Sequence, residues 1–214
     1  MTKEAKILIF GLVAVVGILI GLFVFASRSS NPTAPIADGS KLIRDTSHKY
    51  GSGPISLVEF GDYECPACGA ASAPVKQLLK DYKGKVTFYF RNFPLPQHRN
   101  ALAAAEAAEA AGEQAKYWEM HDKLYEAQSD WSGLADPTEV FVGYAKTLGL
   151  DETTFRQSAT SKKFQTIIDR DTADGTALGL EGTPTFYFNG VKYSGKTTYP
   201  ALRDKADALL KATP

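Results

Sequence analysis

The 214-residue chain has only two cysteines and three histidines, and its formal charge is zero. Two cysteines cannot build the framework of a disulfide-stapled scaffold and amount to one dedicated pair. The histidines, at positions 48, 98 and 121, show no paired ligand spacing, so a zinc site finds no pattern here. Lys+Arg and Asp+Glu number 24 each, and no basic stripe is interleaved with aromatics, which excludes a nucleic-acid surface. A hydrophobic content of 44% is ordinary for a globular domain, so none of these deficits signals disorder.

What the chain does have is a long apolar run at its start. Residues Ile7 to Ala26 are all apolar or glycine. At about 1.5 Å per residue such a helix is about 30 Å long, the thickness of a bilayer core. Lys3 and Lys6 precede the run and only Arg28 follows closely, so residues 1–6 are expected as a cytoplasmic tail and 7–26 as a single-pass anchor. The rest of the chain would then lie on the extracytoplasmic side. A cleaved signal peptide is the competing reading, since Val24-Phe25-Ala26 resembles a small-residue cleavage site. Signal h-regions are shorter, at about 7–15 residues. No cysteine near the end of the run offers a lipoprotein acceptor. Residues 27–50, rich in Ser, Pro, Asn, Asp and Gly, are expected as a linker.

Residues 51–214 carry the folded domain. Ile55 to Phe60 has the composition of a buried strand, with Ile55, Leu57 and Glu59 on one face and Ser56, Val58 and Phe60 on the other. Helical spacing follows from Pro66 to Tyr82, with a kink expected at Pro74, and Val86 to Phe90 is the next strand. Strand, helix and strand with short connections make a parallel βαβ unit. A helical block from about 98 to 180 is inserted before two further strands, Thr185–Phe188 and Val191–Ser194. The Asn189-Gly190 turn between them requires positive φ at both positions. Tyr199 to Ala212 closes the chain as a helix. The fold expected is α/β, a mixed four-stranded sheet with helices on both faces.

Both cysteines lie where the first of these strands hands over to its helix, in Glu59-Phe60-Gly61-Asp62-Tyr63-Glu64-Cys65-Pro66-Ala67-Cys68. A helix N-terminus presents unpaired N–H groups and a positive partial charge, and both stabilise a thiolate. The pKa of Cys65 should therefore fall below about 8.5. Pro66 suits the first helical turn, where its missing N–H is not needed. Cys68, one turn on, is placed to form or resolve a disulfide with Cys65. Half a metal site and an inert structural disulfide are the competing readings of the pair. Glu59 on a buried strand is either a proton relay for the Cys68 thiol or a strand-end carboxylate that reaches water or a lysine. Thr183-Pro184 says little taken alone, because most X-Pro bonds are trans.

Glu59 to Cys68, Arg91-Asn92-Phe93-Pro94-Leu95, Tyr117-Trp118-Glu119-Met120-His121-Asp122 and Gly182-Thr183-Pro184-Thr185-Phe186 together resemble the DsbA-like thiol–disulfide oxidoreductases, in particular the membrane-tethered BdbD-like group. The likeness runs from about His48 to the C-terminus. It implies a thioredoxin fold with an inserted helical domain. It also implies that Pro184 is a cis-proline facing the disulfide, that the Thr183 backbone pairs with a bound peptide, and that Glu59 is the buried acid of the active site. Pro66 and Ala67, between the cysteines, would face the substrate. Ala67 stands where the strongest oxidants have histidine, and Glu64 places a negative charge directly before Cys65.

The function implied is a dithiol oxidase that passes the Cys65–Cys68 disulfide to reduced exported proteins, reoxidised by a quinone-linked membrane partner. It would use no cofactor beyond the pair and no metal, and it would sit in the cell membrane. A membrane-tethered reductase and a peptide-binding module with a structural disulfide are the alternatives. Three further features receive plainer readings. Asp169, Asp171 and Asp174 miss the EF-hand register and are expected on a solvated helix face rather than around calcium. Tyr117, Trp118 and Trp131 are expected in the core or the domain seam. His98 and His121 are expected as ordinary packed or surface histidines.

Overall fold

The structure, a computed structural model, describes residues 37–212. The expected anchor at 7–26, the tail before it and residues 27–36 of the expected linker lie outside that range. Among the described residues no helix is long and apolar enough to cross a membrane.

Five strands form one mixed sheet, in the order β1-β3-β2-β4-β5. They are β1 (His48–Gly51), β2 (Ile55–Gly61), β3 (Val86–Asn92), β4 (Thr185–Phe188) and β5 (Val191–Tyr193). The central pair, β2 and β3, runs parallel, as the βαβ pattern requires, with α2 (Pro66–Asp81) as the crossover. The other three pairings are antiparallel. At the β4–β5 turn Asn189 has φ 48° and Gly190 φ 81°, the two positive values that this dipeptide tolerates. The helix α2 continues through Pro74 as one element.

Between β3 and β4 the chain is helical: α3 (Ala101–Glu113), α4 (Tyr117–Glu126), α5 (Gln128–Trp131), α6 (Thr138–Thr147), α7 (Glu152–Thr160) and α8 (Gln165–Ala177). The alanine-rich α3 is buried along nearly its whole length, because small side chains let α4 and α7 pack close on it. Trp131 is fully buried against Phe141, and Tyr117 stacks on His48, so these aromatics are core. A last helix, α9 (Tyr199–Ala212), packs on α2.

Two expectations need correction at the start of the domain. The sheet has five strands rather than four, and residues 37–50 are folded rather than linker. Asp38 caps a one-turn helix, α1 (Gly39–Leu42), by accepting from the Ser40 N–H. Leu42 is buried, and β1 then adds to the outer edge of β3. The stretch looks like linker because its residues are polar and it is held mainly by partners far along the chain.

Strand alternation divides the core in two. Ile55 and Leu57 of β2 join the larger cluster beneath α2 and the helical block, whereas Val58 and Phe60 join a smaller one with Leu42, Phe93 and Tyr187. On that second face lies Arg91, fully buried. Its guanidinium donates to Asp171 Oδ1 at 2.8 Å, to Asp174 Oδ2 at 2.7 Å, and to the Lys41 and Leu42 carbonyls. Arg44 also bonds Asp174. Asp171 and Asp174 are therefore the buried counter-charges of an arginine, and neither the solvated face nor the calcium cluster is right for them. A helical i, i+3 spacing looks alike in all three cases; only β3 beneath α8 decides among them.

Removing one partner of a buried pair leaves the others unpaired in a low-dielectric interior. Arg91→Ala should cost about 3–5 kcal/mol of stability in urea denaturation. A loss below about 1 kcal/mol would mean that the cluster does not hold α1 and α8 to the sheet.

Candidate active site

The strand β2 delivers Glu59 into the core and then ends in the turn 61–64, which aims Cys65 at the start of α2. Cys65 is the N-cap of that helix, with φ −69° and ψ 121°, and Pro66 follows at the first helical position. No side chain caps the helix, so its first N–H groups are free to face the sulfur. Cys65 keeps 7% of its surface exposed and Cys68 none. The two sulfurs are unbonded here, the dithiol form. Pro66 and Ala67 beside them are exposed.

Opposite Cys65 stands the loop before β4. The Thr183–Pro184 bond is cis, and Cys65 Sγ lies 3.5 Å from the Thr183 carbonyl oxygen, which its thiol donates to. The tertiary fold thus brings together residues some 120 positions apart.

The surroundings split the two thiols. Cys65 is lowered from the ordinary thiol range to about 5, chiefly by the hydrogen bond from Cys68, then by contact with Thr183 and by the amides of Cys68 and Ala67. Burial pushes the Cys68 thiol up, and its bond to Cys65 and the nearby Glu59 push it further. Glu59 itself is raised to about 8, first by burial and then by Cys65. Its Oε1 is buried and has no hydrogen-bond partner among the described residues, so the reading of a strand-end carboxylate paired with a lysine fails. Glu59 borders a groove of about 660 Å³ between α2, α4 and the β1–β3 edge, whose walls include Val75, Phe88, Trp118 and His121.

Glu64, directly before Cys65, has a partner in the helical block. Its Oε2 turns away and accepts from the Asn100 N–H at 2.5 Å. Asn100 in turn donates to the carbonyls of Trp131, Ser132 and Leu134. Gln128 Nε2 donates to the Tyr63 and Cys65 carbonyls at 2.6 and 3.0 Å, so the helical block reaches into the turn. His121 is buried with its Nδ1 at 3.0 Å from the Tyr63 hydroxyl, and burial holds it down at about 3, neutral. His98 is partly exposed and bonds Asp62. Asp62, Asn100 and Gln128 are site residues that sequence reading missed. Their one sequence signal, a polar residue within a few positions of the cysteines, was present for Asp62 alone. No cluster of potential metal ligands occurs among the described residues.

A protein-family model described as thioredoxin matches residues 45–208. Among curated relatives, a Na(+)/H(+) antiporter NhaA 1 of Salinispora arenicola is 39% identical over 150 residues, 70% of this chain and 22% of the relative. The chain thus spans about a fifth of the length of that relative. A probable disulfide bond formation protein D of Bacillus cereus is 32% identical over 146 residues, 64% of this chain and 66% of the relative. Of solved structures, the thiol-disulfide exchange protein alpha-DsbA2 from Wolbachia pipientis superposes with TM-score 0.69 at 27% identity, covering 79% of this chain and 90% of its own.

Two measurements follow from the split acidities. In the reduced protein the 240-nm absorbance should report one thiolate with a midpoint near pH 5, and only Cys65 should be alkylated up to pH 8. A midpoint near the ordinary thiol value would refute the site's electrostatics. Glu59 holds its proton in the folded state at pH values where the unfolded chain has lost it. The unfolded state then binds fewer protons, so stability falls as pH rises from about 4.5 to 8. In the oxidised protein, where no thiol titrates, Glu59→Gln should flatten this profile. Its advantage over wild type should grow by up to about 1.4 kcal/mol per pH unit in denaturant titrations.

Proposed function

The chain belongs to the thioredoxin family, with the DsbA-like fold and site, and we propose that it is an extracytoplasmic thiol–disulfide oxidoreductase acting as a dithiol oxidase on exported proteins. One observation carries this reading: a thiolate-prone Cys65 beside a Cys68 that holds its proton, with the Thr183 carbonyl 3.5 Å away. In the oxidised enzyme a substrate thiolate attacks Cys65 Sγ. The Cys65–Cys68 bond breaks, and Cys68 leaves with the electron pair and takes a proton from Glu59. A second substrate thiolate attacks the substrate sulfur of the mixed disulfide and expels Cys65 as a thiolate. The substrate gains a disulfide, and the enzyme is left as the dithiol with two electrons.

Cys65 is the better leaving group because its thiolate is stabilised, and a stabilised reduced form makes a stronger oxidant. During the exchange the Thr183 backbone is placed to pair with a bound peptide, with Pro66 and Ala67 forming the rim. The reduced pair must then pass its electrons on, and a quinone-linked membrane partner would accept them. Ile7 to Ala26, outside the described residues, would hold the domain at the outer face of the cell membrane, where disulfides persist. No metal and no cofactor beyond the pair enters this scheme.

Cys68→Ala leaves Cys65 without its resolving thiol and should accumulate mixed disulfides with exported proteins on non-reducing gels. Their absence would favour a binding module with an inert pair. For the direction of electron flow, equilibrium with glutathione should place the pair near about −120 mV. A value near about −270 mV would make the protein a reductase.

A further inference from the structure

Asp62, three residues before Cys65, has a side chain with no exposed surface. Its Oδ1 accepts from the Glu64 N–H at 2.8 Å, and its Oδ2 accepts from the Leu95 N–H at 2.8 Å and meets His98 Nδ1 at 2.7 Å. A carboxylate only accepts, so the ring nitrogen facing it carries the proton. The backbone of the same residue touches both cysteines. Its carbonyl accepts from the Cys65 N–H at 3.1 Å, and its amide bonds the Cys68 sulfur. His98 is therefore one residue removed from the reacting atoms, although 33 positions separate it from Cys65 in the chain.

The imidazole is 19% exposed, and Asp62 is the one polar partner that its side chain has among the described residues. Among the described residues no ring contact fixes it, and the hydrogen bond to Asp62 is what places it. What it does is tie the loop after β3 to the turn that carries Cys65. Three further bonds connect the same segments: the Phe93 N–H reaches the Gly61 carbonyl, the Leu95 N–H reaches Asp62, and the Asn100 N–H reaches Glu64. Of these four ties, His98 supplies the one made by a side chain of the loop.

We propose that His98 is a positioning residue for the thiol–disulfide exchange, which acts through Asp62 to hold the 62–65 turn where Cys65 meets the Cys68 thiol and the helix amides. The proposal rests on reading Cys65 as the attacking sulfur. Losing the donor lets the Asp62 carboxylate swing off the loop and the turn relax. Cys65 then loses part of the hydrogen bonding that keeps it ionised.

The test is a 240-nm pH titration of the reduced full chain together with its equilibrium against glutathione. His98→Ala should raise the Cys65 midpoint by about one pH unit, tenfold less thiolate on the acid side of the midpoint. It should also shift the equilibrium toward the enzyme disulfide. His98→Asn places an amide nitrogen where Nδ1 stands and should restore both readings to near wild type. If His98→Ala fails to fold, His98→Gln, whose donor is one bond further out, takes its place. A folded His98→Ala that titrates like wild type overturns the proposal, as does a His98→Asn displaced as far as His98→Ala. A wild-type protein without an acidic thiol would instead overturn the functional reading on which this one rests.

Discussion

Cys65 must carry a negative charge, yet the groups that lower its pKa are a thiol, Thr183 and two backbone amides, with no cation among them. Dipoles of this kind stabilise a charge only while they stay aimed at it, so the site depends on alignment rather than on ion pairing. The start of α2 supplies that alignment. A helix whose N-cap is Cys65, with proline next, presents the Ala67 and Cys68 N–H groups to the sulfur.

Such a site is vulnerable to nearby acids, and three lie within six residues before Cys65. The fold deals with each differently. Glu59 is buried deeply enough to keep its proton through neutral pH. Asp62 and Glu64 are turned onto the 95–100 loop, where the Leu95 and Asn100 N–H groups and His98 hydrogen-bond their carboxylates. The coupling between Glu59 and the sulfurs is mutual. Negative charge on Cys65 raises Glu59, and negative charge on Glu59 raises Cys68.

The sheet separates this neutral acid from the Arg91 ion-pair cluster on its other face. Glu59 and Arg91 stand on neighbouring strands but opposite sides, and each face meets its buried polar group in its own way. Under α2 the carboxyl gives up its charge. Under α8 the arginine gathers two aspartates and two carbonyls around it. The second solution is structural, since it draws the first folded residues, 37–44, onto the domain.

Local patterns were enough for the βαβ unit, the Asn189-Gly190 hairpin, the helical insertion and the placing of a thiol pair at a helix start. Alternation, helical spacing and turn chemistry act over a few residues, so a linear chain displays them. Alternation also placed Glu59 on the buried face under α2, though not what its carboxyl would meet there. The remainder depended on partners dozens of positions away. Polar residues 37–50 fold only because β3 and Asp174 receive them, and Asp171 and Asp174 are buried only because Arg91 lies beneath them. Glu64 stands next to Cys65 in sequence, and only the fold brings the Asn100 N–H to its carboxylate. The sequence by itself determined where the thiol pair sits and on which scaffold. How acidic Cys65 becomes was left to tertiary structure, because hydrogen-bond direction and burial are properties of the assembled turn and have no linear signature.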